Sequence, residues 1–389
     1  MPHSNLFRIV LGVSLAATSP LSGPPGVQAQ SIRISESVSE LEARVRRDSL
    51  DAAAHYNVAI GYMSRRRFDQ ADTALHRAVS IDPQFAIAYF ALGLVQDRND
   101  RYWDGLKRAG GDSAVAREVR RRVGYERKAF LIDPFVDVRL LGSIMRRGYL
   151  SLGVNSAVEH LAEGNYQRSY DEFERIMRYV VGSHGLDSIS PGLLWLHSLA
   201  AAHTAHYAEA IADVEALIRQ SVAVERDDST HTTPLRTNEY RYMLAALHQR
   251  AGNRGQAISG YREVITNDIG NYMAHVQLAR LFEAERNWTQ AIAERRAAAD
   301  VNPEDHTLAF ELGATLARAA QWAAAEEALE RARQMQPAYV RTWHALGVVQ
   351  QQMGKRDEAR AALNHFLVVA PSRFTAQIND ARTRLAQIP

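Results

Sequence analysis

From Tyr272 to Pro371 the apolar residues recur three and four places apart, in runs about a dozen residues long broken by short polar turns. One run carries Ala309, Leu312 and Leu316; a later one carries Trp343, Leu346 and Gln350. That period is helical, so each run predicts one face of a helix packed on a neighbour. The segments "RNWTQA" and "GKRDEA" between runs hold residues that start helices. Each second run ends on a proline, which lacks the backbone donor and clashes with the preceding turn. The pattern predicts successive helix–turn–helix hairpins.

The hairpins repeat. Pro303, Pro337 and Pro371 lie 34 residues apart, and so do Ala291, Ala325 and Ala359. Leu278, Leu312 and Leu346 keep the same interval, each followed by a small residue: Ala279, Gly313, Gly347. Small residues at these two places let the two helices of a unit approach closely. Upstream the register returns in looser form. "HYNVAIGYMSRRRFDQADTALHRAVSIDP" sets Tyr62, Phe68, Ala71, Ala78 and Pro83 in place, and "AYFALGLV" opens the next unit with Leu92 and Gly93. The second helix of that unit arrives late, at "YERKAFLIDP". Pro83 to Pro134 spans 51 residues, one period plus an insertion of 17, near residues 100–125. Three weaker units follow, around "AVEHLAEGNYQRSYDEFERI", "LLWLHSLAAAHTAHYAEAIADVEALI" and "YRYMLAALHQRAGNRGQAISGYREVI", for eight in all.

The period, the small residues and the closing proline resemble the tetratricopeptide repeat, and the chain looks like an exported bacterial protein of that family. The resemblance covers roughly residues 50–371. It implies an all-α, right-handed superhelical solenoid, with "SRFTAQINDARTRLAQIP" (372–389) as a capping helix over the last apolar face. The expected organisation is a signal peptide at 1–29, a linker at 30–48 and a degenerate N-terminal array at 49–221. A polar, Thr-rich loop or hinge at 222–237 and a C-terminal array at 238–371 complete it.

Composition narrows the function. With 46 basic and 44 acidic residues the net charge is +2, and no nucleic-acid partner is expected. Cysteine is absent, which removes disulfides and thiolate chemistry. Arg8, the short apolar run Ile9–Ala17, and Val27 and Ala29 before a Gln read as a signal peptide cleaved after Ala29, so export to the periplasm or beyond is expected. No later segment is apolar enough to span a bilayer, so the mature chain is expected to be soluble, reaching a membrane only through a partner.

Candidate chemistry is sparse. Gly354-Lys355 lacks the spacing and the Ser or Thr of a phosphate loop. His197, His203 and His206 lack acidic partners at ligand spacing, and no metal or cofactor is expected. "NWT" at Asn287 matches a glycosylation sequon inside a turn, and "REVRRRVGYERK" presents an Arg-rich helix face. The resemblance implies instead a partner-binding face on the first helix of each unit, at its second, fifth, ninth and twelfth places. The fifth place holds Tyr56, Phe90, Trp195, Tyr242, Val276, Phe310 and His344. Aromatic residues there suit binding anchors. Arg250, Arg280, Arg318 and Arg341 are expected on or near the same face, where guanidinium groups grip carboxylates. The Lys and Asn with which the family clamps a peptide's terminal carboxylate are missing. The expected function is a non-enzymatic scaffold binding protein or peptide partners in its concave groove in the cell envelope. The alternative is an accessory or regulatory subunit of an envelope enzyme or of a polysaccharide or outer-membrane assembly complex.

Overall fold

The structure is a computed structural model, and it describes residues 37–96, 99–136, 152–162, 164–226 and 237–388. Every regular element among these residues is helical. The expected signal peptide lies outside them, as do 227–236 of the expected loop. The chain divides into two compact units, Met1–Gly260 and Tyr261–Pro389.

The first unit begins with α1 (Val38–Arg47). Residues 30–48 were expected to be a linker, but Ser37 and Glu40 form a capping box that starts a helix here, with Ser37 N–H donating to Glu40 Oε2 at 2.7 Å. Val38 and Leu41 pack on Gly61 of α2 (Ala52–Ser64), where an added Cβ would sit 2.9 Å from Leu41 Cδ1. The helix thus covers an apolar end that a linker would leave wet. Next come α3 (Phe68–Ile81), α4 (Ala86–Leu94) and α5 (Asp100–Ile132). The expected insertion is the first part of α5, which breaks at Gly110 and Gly111; Gly111 has φ 62°. After the break the chain packs on α4 as the late second helix of its hairpin: Ala129 and Phe130 are fully buried, and Glu126 fills the space beside Gly93.

Hairpins α6–α7 (Leu152–Ala162, Tyr166–His184) and α8–α9 (Pro191–His203, Tyr207–Arg226) follow, then α10 (Thr237–Arg250). Helix α9 runs on to Arg226, into the segment expected to be loop from 222. Nor does that loop divide the chain. Tyr240 and Tyr242 of α10 pack on residues of α5 and α8, so α10 belongs to the first unit, and the division falls within α11 (Arg254–Asn267).

The second unit holds the regular hairpins α12–α13 (Tyr272–Ala284, Trp288–Val301), α14–α15 (His306–Arg318, Trp322–Met335) and α16–α17 (Val340–Gln352, Arg356–Val369). Helix α18 (Thr375–Gln387) packs on α17 and α16, as expected of a cap. Each hairpin turn closes the same way. The N–H groups of Asn287, Gln321 and Lys355 each donate to a carbonyl five residues back at 2.9 Å, around left-handed Arg286, Ala320 and Gly354. The 34-residue register has a direct steric cause. A Cβ on Gly313 would lie 2.6 Å from Leu329 Cγ and 3.2 Å from the Ala325 carbonyl; on Gly347 it would lie 2.5 Å from Leu363 Cγ. Ala325→Leu at this fully buried contact should overpack it and cost about 1–3 kcal/mol, read as a lower urea midpoint by far-UV circular dichroism. Among the described residues no helix is long and apolar enough to cross a membrane.

Candidate functional site: the first-helix faces

In the first unit the expected aromatic anchors form the interior. Tyr56 meets Phe85 edge-on with ring centres 5.5 Å apart, and burial pushes its pKa up. Phe90 is buried in the same core. Trp195 is 1% exposed; it packs 6.4 Å from Phe130 and edge-on to Tyr240 at 5.9 Å. Tyr242 is fully buried and its hydroxyl donates to the Leu131 carbonyl at 2.6 Å. These four residues join neighbouring hairpins, and none of them presents a ring to a partner. The fifth place faces the next unit as much as the open face, which is the physical reason for the correction. Arg250 is also used internally: its guanidinium lies 3.8 Å from the Phe135 ring centre and 3.6 Å from Asp133.

The histidines of α8 and of the turn that follows it are likewise engaged. His203 stacks on Tyr166 at 4.0 Å, and burial beside the charge of Arg250 pushes its pKa down to about 4. His206 stacks on Tyr170 at 3.9 Å. His197 sits buried between two carboxylates, donating from Nδ1 to Asp213 at 2.6 Å with Nε2 3.2 Å from Glu174. Burial disfavours the charged ring, but the carboxylates outweigh it and hold its pKa above the ordinary histidine value. Sequence spacing hid this trio, because Glu174 and Asp213 come from helices on either side of α8.

The second unit keeps a polar, partly open first-helix face. Arg280, Arg318 and Arg341 stand on the successive helices α12, α14 and α16. Arg318 is the most open, with its side chain 46% exposed and Nη1 donating to Glu283 Oε2 at 3.0 Å. Arg341 lies over the Phe310 ring at 5.0 Å and reaches the Tyr339 hydroxyl. Phe310 beneath it is 6% exposed and edge-on to Tyr339, and Val276 is fully buried; both belong to the core rather than the surface. His344 donates to Asp380 of α18 at 2.8 Å and packs on Phe366; burial lowers its pKa in spite of that carboxylate. The cap therefore occupies His344.

Glu283 organises this face, and the sequence reading missed it. Its Oε1 accepts from Arg295 at 2.9 Å and from Thr315 at 2.6 Å, while Oε2 accepts from Arg318. A signal existed: Glu283 holds the twelfth place of its unit and Arg318 the thirteenth of the next, 35 residues on. Small residues Ala314 and Ala317, both part-exposed, lie on α14 just before Arg318.

Residues 340–372, the hairpin α16–α17 and its closing proline, match the family model described as a tetratricopeptide repeat. No curated protein matches the chain. Among solved structures the chain is similar to the C-terminal part of a TPR repeat-containing protein from Cytophaga hutchinsonii, at 14% identity over 60% of this chain and 87% of that one, with TM-score 0.49. A thermophilic TPR protein of Thermus thermophilus aligns at 19% identity over 49% of this chain and 94% of its own, with TM-score 0.31. The hetero-tetramer Cut9-Hcn1 of the APC/C aligns at 13% identity over 90% of this chain and 81% of that one, with TM-score 0.39. The hairpin at 340–372 is a tetratricopeptide repeat, and hairpins α12–α13 and α14–α15 before it keep its 34-residue register.

Proposed function

We propose that this protein is a non-enzymatic scaffold that binds a protein or peptide partner along the first-helix face of Tyr261–Pro389, in the cell envelope after export. Repeat proteins of this family generally bind protein partners, and no nucleic acid is indicated. The observation that carries the proposal is the row Arg280, Arg318 and Arg341. It stands on three successive first helices, with Arg318 open to solvent beside small Ala314 and Ala317. An extended segment can lie close to the small residues while its carboxylates meet the guanidinium groups. Arg supplies orientation and encounter rate more than burial energy, so the face suits exchangeable partners.

The test is a crosslinked pull-down from the native envelope, with wild type against the triple variant Arg280→Gln, Arg318→Gln, Arg341→Gln. Loss of the captured partner with retained helicity supports the face. Equal capture by both baits overturns it. In the same preparation the mature chain should begin at Gln30; a soluble cytoplasmic chain that retains Met1 overturns the export reading.

A further inference from the structure

The part of α5 after the glycine break has two unlike faces. Its inner face is engaged. Arg122 is 4% exposed, donates to the Leu92 carbonyl at 2.7 Å and pairs with Glu118 at 2.7 Å. His76 meets the Tyr125 hydroxyl at 3.1 Å, and Ala129 and Phe130 are fully buried. The outer face does none of this. Val119 is 46% exposed and Val123 is 53% exposed, one turn apart; half-buried Val115 extends the stripe by another turn. Elsewhere among the described residues, large exposed apolar side chains do not occur one turn apart on the same helix.

Beside the valines runs a basic edge. Arg120 and Arg127, three residues before and four after Val123, are exposed there, while Arg117 and Arg121, two residues from Val119 on either side, are exposed on the opposite side of the helix. Arg120 meets no carboxylate among the described residues. The acidic residues nearby are turned inward or lie at the end of the stripe: Glu118 pairs with Arg122, Glu126 packs beside Gly93, and Asp112 sits 3.5 Å from Lys107. A stripe spaced by four residues with charge along one side is the arrangement by which helices pair, the apolar seam giving contact and the flanking charge choosing the partner. From Val115 to Arg127 it covers about 18 Å, roughly three helical turns.

We infer that the outer face of α5, from Val115 to Arg127, docks an acidic amphipathic helix of another protein, separate from the Arg row of the second unit. Charge selects that occupant. A second copy of this chain, set antiparallel, would place Arg120 against Arg120 across the two-fold axis, so self-pairing is disfavoured. An interfacial lipid helix is held by bulky anchors such as Trp, Phe and Leu, whereas the exposed apolar residues here are valines with Ala116 beside them, sized to interlock with another helix. The insertion that supplies this face is chain that the 34-residue repeat does not need.

The probe is a fluorescein-labelled peptide about three heptads long with Leu at the seam and Glu on both flanks, titrated with the full mature chain and followed by anisotropy. Its counterpart with Lys on the flanks is the control. The expected result is saturable binding of the Glu peptide alone, weakened about tenfold or more by Arg120→Glu with Arg127→Glu, and likewise by Val119→Asp with Val123→Asp. All four positions are exposed, and circular dichroism should show unchanged helix in both variants. The inference is overturned if the Glu peptide fails to bind, or if both variants bind it as wild type does. It is also overturned if the chain floats with phosphatidylglycerol vesicles through this face while ignoring the peptide.

Discussion

Glu283→Ala should destabilise the second unit by about 3–5 kcal/mol, although Glu283 lies at the partly open first-helix face. Its partner Arg295 is 3% exposed. With Glu283 gone, that guanidinium keeps only Glu311, at 3.6 Å, and its Nη1 already lacks a hydrogen-bond partner. A buried charge stripped of its counter-charge costs far more than the pair contributes when intact. Hydrogen exchange should locate the loss in α12, α13 and α14, with the urea midpoint falling in parallel. Two variants separate this cause from simple loss of contacts. Arg318→Ala removes a half-exposed partner and should cost under about 1 kcal/mol. Glu283→Leu with Arg295→Met removes both charges and should recover most of the stability.

The same carboxylate gives the second unit an acid sensitivity. Burial raises the Glu283 pKa, but the charge and hydrogen bond of Arg295, the Thr315 hydroxyl and the charge of Arg318 outweigh it and push the value down to about 2. The folded value lies below the unfolded one, so the stabilisation is present above about pH 4.5 and lost as pH falls towards 2. Solvent on the Arg318 side screens the interaction, which leaves about 2 kcal/mol to be lost across that window. In Glu283→Gln this acid limb should flatten.

How much of this was legible in the sequence follows from which contacts are periodic. The place of Gly313 and Gly347 against Leu329 and Leu363 repeats every 34 residues, so the hairpins, their close approach and the capping helix could be read directly. Helix α1 was missed because its signal is one capping box and two apolar residues, too little to outweigh a polar composition. The aromatic places were read with the right spacing and the wrong surroundings. A residue at the fifth place faces both the open side and the next hairpin, and only the size of that neighbour decides which prevails. Phe130 arrives late, after a 17-residue insertion, and no register anticipates its contact with Trp195 and Tyr242. Glu283 was missed for a related reason: its partners lie on two other helices, and only Arg318 keeps a repeat-related distance from it.

Trp195→Ala is expected to cost about 3–5 kcal/mol and to loosen the first unit rather than weaken a partner's grip. The indole is enclosed by Phe130 of α5 and Tyr240 of α10, so its removal opens a cavity shared by three elements that are distant in sequence. Such a cavity collapses poorly, because α5 is also fixed to α10 by the Tyr242 hydroxyl on Leu131. Hydrogen exchange should rise in α8, α10 and the end of α5, and the near-ultraviolet circular dichroism of the aromatic cluster should fade. Trp195→Phe separates packing from surface chemistry. The indole N–H is buried without a hydrogen-bond partner, so the phenyl ring loses some contact but leaves no donor stranded, and its cost should stay under about 1.5 kcal/mol. A surface anchor would behave in the opposite way, lowering affinity in both variants while leaving the urea midpoint in place. If Trp195→Ala melts the first unit while capture through the Arg row persists, the aromatic fifth places are what joins the irregular hairpins, and recognition belongs to the charged, open places around them.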